Sequence, residues 1–405
     1  MFLDYTVHSI NNPTIVLPGS KSESNRALIL AQFLNGIEII NLSTADDTIV
    51  LQKALQNNSG TVDIGHAGTA MRFLTAYYAV SESSDVILTG SSRMQERPIK
   101  PLVDALKHLG TDISYLDKEG YPPLKIKGQK LTKNVLSIHA NISSQYISAL
   151  MLVAPFLEHG LSIQLIGKIT SLPYLNMTVA LMQSLGISTK FSDNKIIITP
   201  FDNNQMIHKQ MTIESDWSAA SYHYSALALS PIGTSLSLKY FKEDSLQGDQ
   251  ELKHIYKSFG IETTYISEDT IQLTKTAESQ VSEITLDLNN TPDLAQTIAV
   301  TCLGLGINAH FSGLHTLKIK ETDRLMALKI EMEKLGAEVH ISDDTLTLCI
   351  PKKLNKNIHI NTFNDHRMAM AFTSLSIKTP IYIENPKVVS KSYPEFWENW
   401  KKMFK

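Results

Sequence analysis

The sequence predicts an α/β protein built from six copies of one strand-helix-strand-helix-strand-strand unit, grouped as two similar three-unit domains, with the first unit shortened. Three observations carry this. Amphipathic segments ending in Leu-Gly or Phe-Gly recur, with the glycines at 110, 186, 260 and 336, so that the intervals are 76, 74 and 76 residues. After each glycine comes a stretch alternating apolar and polar residues around a turn, as in "ISTKFSDNKIIITP" and "AEVHISDDTLTLCIP", the pattern of a strand pair. A second helix type, rich in small and apolar residues, recurs with nearly the same period.

The amphipathic helices are "VDALKHLG", "VALMQSLG", "KHIYKSFG" and "IEMEKLG", each stopped by glycine. "DDTIVLQKAL" near Asp46 and the terminal "SYPEFWENWKKMF" bring that set to six. The small-residue helices open at "SKSESNRALILAQFL", "HAGTAMRFLTAYYAV", "SSQYISALMLVAP", "DWSAASYHYSALAL", "TPDLAQTIAVTCLGL" and "NDHRMAMAFTSLSI". Helices apolar on all sides belong inside, with the amphipathic ones covering them. About ten residues separate "VLQKAL" from "GHAGTAMR", too few for a closing strand pair, since each strand alone takes about five. The expectation is a lost surface hairpin there, with the break between the two groups of three falling between "IIITP" and "DWSAA".

At 405 residues, 43% hydrophobic and 19% charged, with a formal charge of -3, the chain is too long for a single ordinary core and not basic enough for a nucleic-acid binder. Any anion site must be local. Cys302 and Cys349 lie in apolar runs and cannot form a disulfide framework. The N-terminus lacks a signal-peptide pattern and no apolar run reaches membrane-spanning length, so the expected location is the cytoplasm.

"LPGSKSESNR" places Gly19, Ser20, Lys21, Ser22 and Arg26 at a helix start. It fails the nucleotide-loop template, which requires Gly-Lys in sequence. Either the unpaired N–H groups of the first turn hold a phosphate or carboxylate with these side chains, or Ser20 is an N-cap beside a solvated lysine. Cations recur at other helix starts: Arg72, Arg97, Lys320, Arg324, Arg367 and Lys391. Cations there oppose the helix dipole, so the recurrence points to anionic ligands carrying several phosphates or carboxylates. Asp293 and Glu321 stand in this basic field. Cationic neighbours make a carboxylate a base or acceptor, and burial pushes it toward general-acid work; Asp293, after Pro292, also fits an ordinary helix cap. His66, His315 and His366 have no metal-ligand spacing. No metal or cofactor is assigned.

Taken in order, "LPGSKSESNRALIL", "AGTAMR", "ERPI", "SSQY", "KETDRL", "NDHRMAM" and "SKSYPEF" resemble the 5-enolpyruvylshikimate-3-phosphate synthases, the 3-phosphoshikimate 1-carboxyvinyltransferases, collinearly from residue 17 to 396. The resemblance implies two domains of three βαβαββ units in an inside-out α/β barrel arrangement: 19–214, and 1–18 with 215–405. It places hinges near 18–20 and 212–216, and helix starts facing an interdomain cleft. It implies transfer of the enolpyruvyl group of phosphoenolpyruvate to the 5-hydroxyl of shikimate 3-phosphate, by a monomer, with no nucleic-acid or membrane partner. Shikimate 3-phosphate would meet Lys21, Ser22, Arg26, Ser143, Ser144, Gln145, Ser171, Tyr174, Asp293 and Lys320. Phosphoenolpyruvate would meet Lys21, Gly68, Arg97, Gln145, Arg324, Arg367 and Lys391. Glu321 would protonate C3 while Asp293 takes the 5-hydroxyl proton, with Lys21 assisting.

The sequence departs from the family pattern at His66, where asparagine is usual, at Phe73, where proline commonly follows the arginine, and at Thr316, often an asparagine. Glu23 adds a negative charge beside the first anion site. Two other readings remain at this level. The related UDP-N-acetylglucosamine enolpyruvyl transferases place a cysteine in a mobile loop, a context neither Cys302 nor Cys349 has. A non-catalytic binder of phosphorylated metabolites would not need both Asp293 and Glu321.

Overall fold

The computed structural model describes residues 1–141, 143–201 and 209–404. Two compact units divide the chain, Gly19–Ile213 and the combination of Met1–Pro18 with Glu214–Lys405. Both are mixed α/β, and the described strands form six small separate sheets.

Four of these sheets share one topology. In the unit Gly19–Ile213, strand Ser59–Asp63 runs parallel to Asp85–Thr89 across helix Gly68–Val80. Helix Lys100–Leu109 then leads to the hairpin Asp112–Tyr115 and Leu124–Lys127, whose second strand pairs antiparallel with Asp85–Thr89. Val135–His139, Leu161–Ile166, Thr189–Ser192 and Lys195–Ile198 repeat this around helices Ser144–Val153 and Leu172–Ser184. In the other unit Glu283–Asp287, Asn308–Ser312, Glu338–Ile341 and Leu346–Cys349 do so around Ala295–Leu305 and Arg324–Lys334. The fourth takes its first strand, Thr14–Val16, from the N-terminus; it lies parallel to Ser235–Lys239, which pairs with the second strand of the hairpin Ile261–Ser267 and Thr270–Lys275.

The remaining sheets show how the ends of the series are made. Among the described residues Ile37–Ile40 pairs only with Lys209–Thr212, in parallel, and no hairpin follows helix Asp46–Ala54. The shortened unit thus draws its first strand from far downstream. "KQMT" gives no hydrophobic alternation to announce a strand, because just one of its residues, Met211, is buried. In the last sheet Ile358–Ile360 and Ile381–Ile383 are parallel, and Phe2–Leu3 pairs antiparallel with Ile381–Ile383 where a hairpin strand would otherwise lie.

Each unit has its own core. In one, helices Trp217–Ala228, Ala295–Leu305 and His366–Thr373 pack on one another. They are buried nearly all round, and small residues such as Ala220, Ala299 and Ala369 allow close approach. In the other, Lys21–Phe33, Gly68–Val80, Ser144–Val153 and Leu172–Ser184 form the packed set. Many helix starts are capped by side chains. Asp216 accepts from the Ala219 N–H (3.1 Å), Asp323 from Met326 (3.0 Å), Asp365 from Arg367 (2.9 Å) and Ser143 from Gln145 (3.3 Å). Such caps fix where the first turn begins, and so where residues just inside it point.

The repeating glycines at 110, 186, 260 and 336 all have positive φ, 111°, 81°, 81° and 100°, the left-handed conformation that ends a helix. Gly260 and Gly110 separate two costs. A Cβ at Gly110 meets open space, whereas one at Gly260 collides with the Ala277 carbonyl oxygen. Gly110→Ala is expected to lose about 1 kcal/mol of unfolding free energy in urea titration, the backbone cost alone, and Gly260→Ala at least about twice that.

Candidate active site

In the unit containing residues 214–404, Arg324 is the organising group. It is the first residue of its helix, capped by Asp323, and is 1% exposed. Its Nε donates to Asp365 Oδ2 (2.7 Å), Nη1 to Asp293 Oδ1 (3.0 Å) and Nη2 to Glu321 Oε2 (2.7 Å). Arg367 adds Nη2 to Asp293 Oδ2 (3.2 Å) and donates from Nη1 to the Asp293 carbonyl (3.1 Å). Lys320 Nζ lies 3.6 Å from Asp293 Oδ1, and Lys391 Nζ 3.1 Å from Glu321 Oε1. Asp293, Lys320, Glu321, Arg324, Arg367 and Lys391 therefore form one connected network. Asp293 sits in a short turn, Pro292–Leu294, that makes no side-chain cap bond; its carboxylate goes to the cations.

The electrostatics follow from this packing. Burial alone would raise the Asp293 carboxyl, but Arg367, Lys320 and Arg324 outweigh it and hold it well below the ordinary carboxylate range. Burial pulls Lys320 down against the opposing pull of Asp293. Arg324, though desolvated, is driven up by Asp365, Glu321 and Asp293. Asp293 is ionised at any ordinary pH, and the four cations Lys320, Arg324, Arg367 and Lys391 stand among three carboxylates, Asp293, Glu321 and Asp365.

In the unit Gly19–Ile213, Ser20 caps helix Lys21–Phe33, accepting from the Glu23 N–H (3.4 Å). Lys21 Nζ reaches Asp47 Oδ2 at 3.3 Å. The Arg26 guanidinium, 2% exposed, donates to Thr178 Oγ1 (2.8 Å), the Ser22 carbonyl (2.7 Å), Ser148 Oγ (3.1 Å) and the Tyr174 carbonyl (3.4 Å). Burial brings it down to about 10. Ser143 and Ser144 open a helix whose next residue, Gln145, donates from Nε2 to Thr69 Oγ1 (3.4 Å). Ser171 is buried at φ 57°, ψ 47°, a left-handed conformation unusual for a residue with a Cβ, and such strain concentrates at functional loops. Gly68 begins its helix against Arg97, where a Cβ would lie 2.6 Å from Nη1. Arg72, one of the recurring cations, is spent on structure: it donates to the carbonyls of Gly68 (3.2 Å) and Pro98 (2.9 Å). Tyr146 donates to the same Pro98 carbonyl (2.6 Å), so Arg72 and Tyr146 together set the backbone next to Arg97.

The EPSP synthase model, 3-phosphoshikimate 1-carboxyvinyltransferase, matches residues 49–400. A 3-phosphoshikimate 1-carboxyvinyltransferase of Bacteroides fragilis (strain YCH46) is 45% identical over 395 residues, covering 96% of this chain and 94% of the relative. The chain belongs to the EPSP synthase family. The enzyme of that name from Colwellia psychrerythraea is 36% identical over 416 residues, with 96% of each chain covered. Among solved structures, an EPSP synthase from Acinetobacter baumannii has a TM-score of 0.78 at 19% identity, covering 100% of this chain and 97% of its own. The enolpyruvyl transferase NikO from Streptomyces tendae has a TM-score of 0.71 at 13% identity, covering 99% and 96%. At those identities the structures speak for the fold alone.

Within this EPSP synthase family member, sequence reasoning overlooked four groups, one in the unit Gly19–Ile213 and three beside the network. Asp47 pairs with Lys21. Asp365 caps its helix through Oδ1 while pinning Arg324 through Oδ2. Ser218 accepts from Arg367 Nη2 (3.3 Å) and donates to Asp249. "NDHR" could have flagged Asp365 as a cap, but nothing in "LQGDQEL" marks Asp249. His315 pairs with Asp344 (3.3 Å), and His366 is buried beside Asp365. No group of His, Cys, Asp and Glu able to hold a metal occurs among the described residues. No helix there is long and apolar enough to cross a membrane.

Burial, with Asp293 nearby, pushes Asp249 up to about 7, against the bond from Ser218 and the pull of Arg367. A folded-state pKa above the unfolded value of about 3.9 means the native form holds an extra proton between these values. The associated stability is full below about pH 4 and is lost as pH rises to about 7, with a slope of at most about 1.4 kcal/mol per pH unit. Asp249→Asn removes this dependence; subtracting its denaturation free energies from those of the wild type between pH 4 and 8 is expected to show the slope.

Proposed function

We infer that the protein transfers the enolpyruvyl group of phosphoenolpyruvate to the 5-hydroxyl of shikimate 3-phosphate, releasing phosphate. The observation that carries the reading is the network in which Lys320, Arg324, Arg367 and Lys391 are matched to Asp293 and Glu321. Both substrates carry a phosphate and a carboxylate, the groups that guanidinium forks and ammonium groups bind best. The family membership favours this reaction over transfer to UDP-N-acetylglucosamine.

In the proposed assignment Arg324, Arg367 and Lys391 take phosphoenolpyruvate, together with Lys21, Arg97, Gln145 and the backbone at Gly68. Shikimate 3-phosphate takes Lys21, Ser22, Arg26, Ser143, Ser144, Gln145, Ser171, Tyr174 and Lys320, with Asp293 at the reacting hydroxyl. We place the two compact units in the roles of the family's two domains, with hinges near 18–20 and 212–216 and the sheets in the inside-out barrel arrangement.

The chemistry needs one acid and one base. Asp293 accepts the 5-hydroxyl proton as that oxygen attacks C2, and Glu321 delivers a proton to C3, giving a tetrahedral intermediate. Loss of phosphate, with a proton returned from the C3 methyl to the now ionised Glu321, then forms the enol ether, with Lys21 and the other cations stabilising the departing charge. A carboxylate held far below its ordinary range by three cations is a weak base. When anionic substrates occupy those cations, their field at Asp293 is cancelled and its basicity returns. Substrate binding thus arms the base, and in the resting network the same cations keep Asp293 charged and oriented.

Removing a positioned acid or base costs about 10² to 10⁴ in rate. Asp293→Asn and Glu321→Gln are expected to fold, to bind shikimate 3-phosphate in calorimetry, and to release phosphate that much more slowly; turnover within tenfold of wild type would refute the assignment. Gly68→Ala must displace the Arg97 guanidinium. It is expected to raise KM for phosphoenolpyruvate about tenfold, roughly 1.4 kcal/mol, with KM for shikimate 3-phosphate changed less than threefold in steady-state assays.

A further inference from the structure

Arg26 is held by more than its hydrogen bonds. Its guanidinium carbon lies 5.5 Å from the centroid of Phe73 and 5.7 Å from that of Tyr174. Phe73, 1% exposed, comes from helix Gly68–Val80, and Tyr174 from helix Leu172–Ser184. A guanidinium has five N–H donors, and four of those of Arg26 are committed to Thr178, Ser22, Ser148 and Tyr174. With two aromatic rings close to its guanidinium carbon, what it can still offer is the second N–H of Nη1. The aromatic contact also supplies cation–π attraction that water cannot give to a buried charge.

We propose that Phe73 is a positioning residue for Arg26: its ring fixes the guanidinium plane so that the remaining Nη1–H meets an oxygen of shikimate 3-phosphate, setting affinity for that substrate without entering the chemistry. The proposal rests on the assignment of Arg26 to shikimate 3-phosphate made above. Without the Phe73 ring, Arg26 keeps its four neutral acceptors and the Tyr174 ring but loses one of its two aromatic contacts.

Phe73→Leu and Phe73→Met keep an apolar side chain but lose the ring. In the full-length protein, calorimetry with shikimate 3-phosphate alone is expected to show Kd raised about 3- to 30-fold in both, the range a desolvated cation–π contact supports. KM for phosphoenolpyruvate and kcat stay within about twofold. Arg26→Lys, which keeps the charge and loses the fork, also raises Kd, and adding Phe73→Leu to it causes little further loss because both act through one group. If Arg26→Lys leaves Kd unchanged, the assignment of Arg26 itself fails. If Arg26→Lys weakens binding but neither Phe73 variant does, or if the double variant is additive, or if both substrates weaken equally, the role of Phe73 is overturned while that of Arg26 stands.

Discussion

Arg324 is the constraint on which the rest of the site depends. One nearly inaccessible guanidinium holds Asp365, Asp293 and Glu321 at 2.7 to 3.0 Å. Taking so many charges out of water is tolerable only when each is paired, and removing one partner from such a cluster costs about 3 to 5 kcal/mol. The helix of Arg324 is therefore fixed against the helix that Asp365 caps and the turn that carries Asp293. Arg367, the second residue of the Asp365-capped helix, is placed by the same bond. The carboxylates of Asp293, in its short turn, and Glu321, just before its helix, are thus held by cations anchored at helix starts.

In the proposed assignment the two units meet the demand for anion recognition with different chemistry. Between residues 214 and 404 it is met by charge against charge, with Lys320, Arg324, Arg367 and Lys391 paired to carboxylates until an anionic ligand competes for them. Within Gly19–Ile213 it is met by hydroxyls, helix N-termini and single cations: Ser143, Ser144, Ser171, Lys21 and a guanidinium locked between hydrogen bonds and rings. The first arrangement suits chemistry in which charge moves. The second suits recognition of a rigid polar molecule.

Much of this was legible in the sequence, for identifiable reasons. The period was visible because the helix-ending glycines at 110, 186, 260 and 336 all need a left-handed backbone, which leaves few alternatives. The buried helices were visible because burial on every side leaves no polar stripe. Strands Lys209–Thr212 and Phe2–Leu3 were not, since short edge strands with one buried residue each carry no alternation. The cations were conspicuous because they break the dipole rule at helix starts. Their carboxylate partners Asp47 and Asp365 were not, because an acidic residue near a helix start is ordinary, and its meaning depends on which distant cation the fold delivers. Arg72 shows the converse: a cation in the right sequence position whose guanidinium serves the backbone carbonyls of Gly68 and Pro98.

The central claim is that the Arg324 network is the resting form of an enolpyruvyl-transfer site, poised to exchange its own carboxylates for two anionic substrates. The most direct measurement is phosphate release by the purified protein supplied with phosphoenolpyruvate and shikimate 3-phosphate, each omitted in turn, and with UDP-N-acetylglucosamine in place of the second. Release that requires both substrates together and fails with the nucleotide sugar is the result expected. Release from phosphoenolpyruvate alone, release with the nucleotide sugar, or none with the full pair would contradict it.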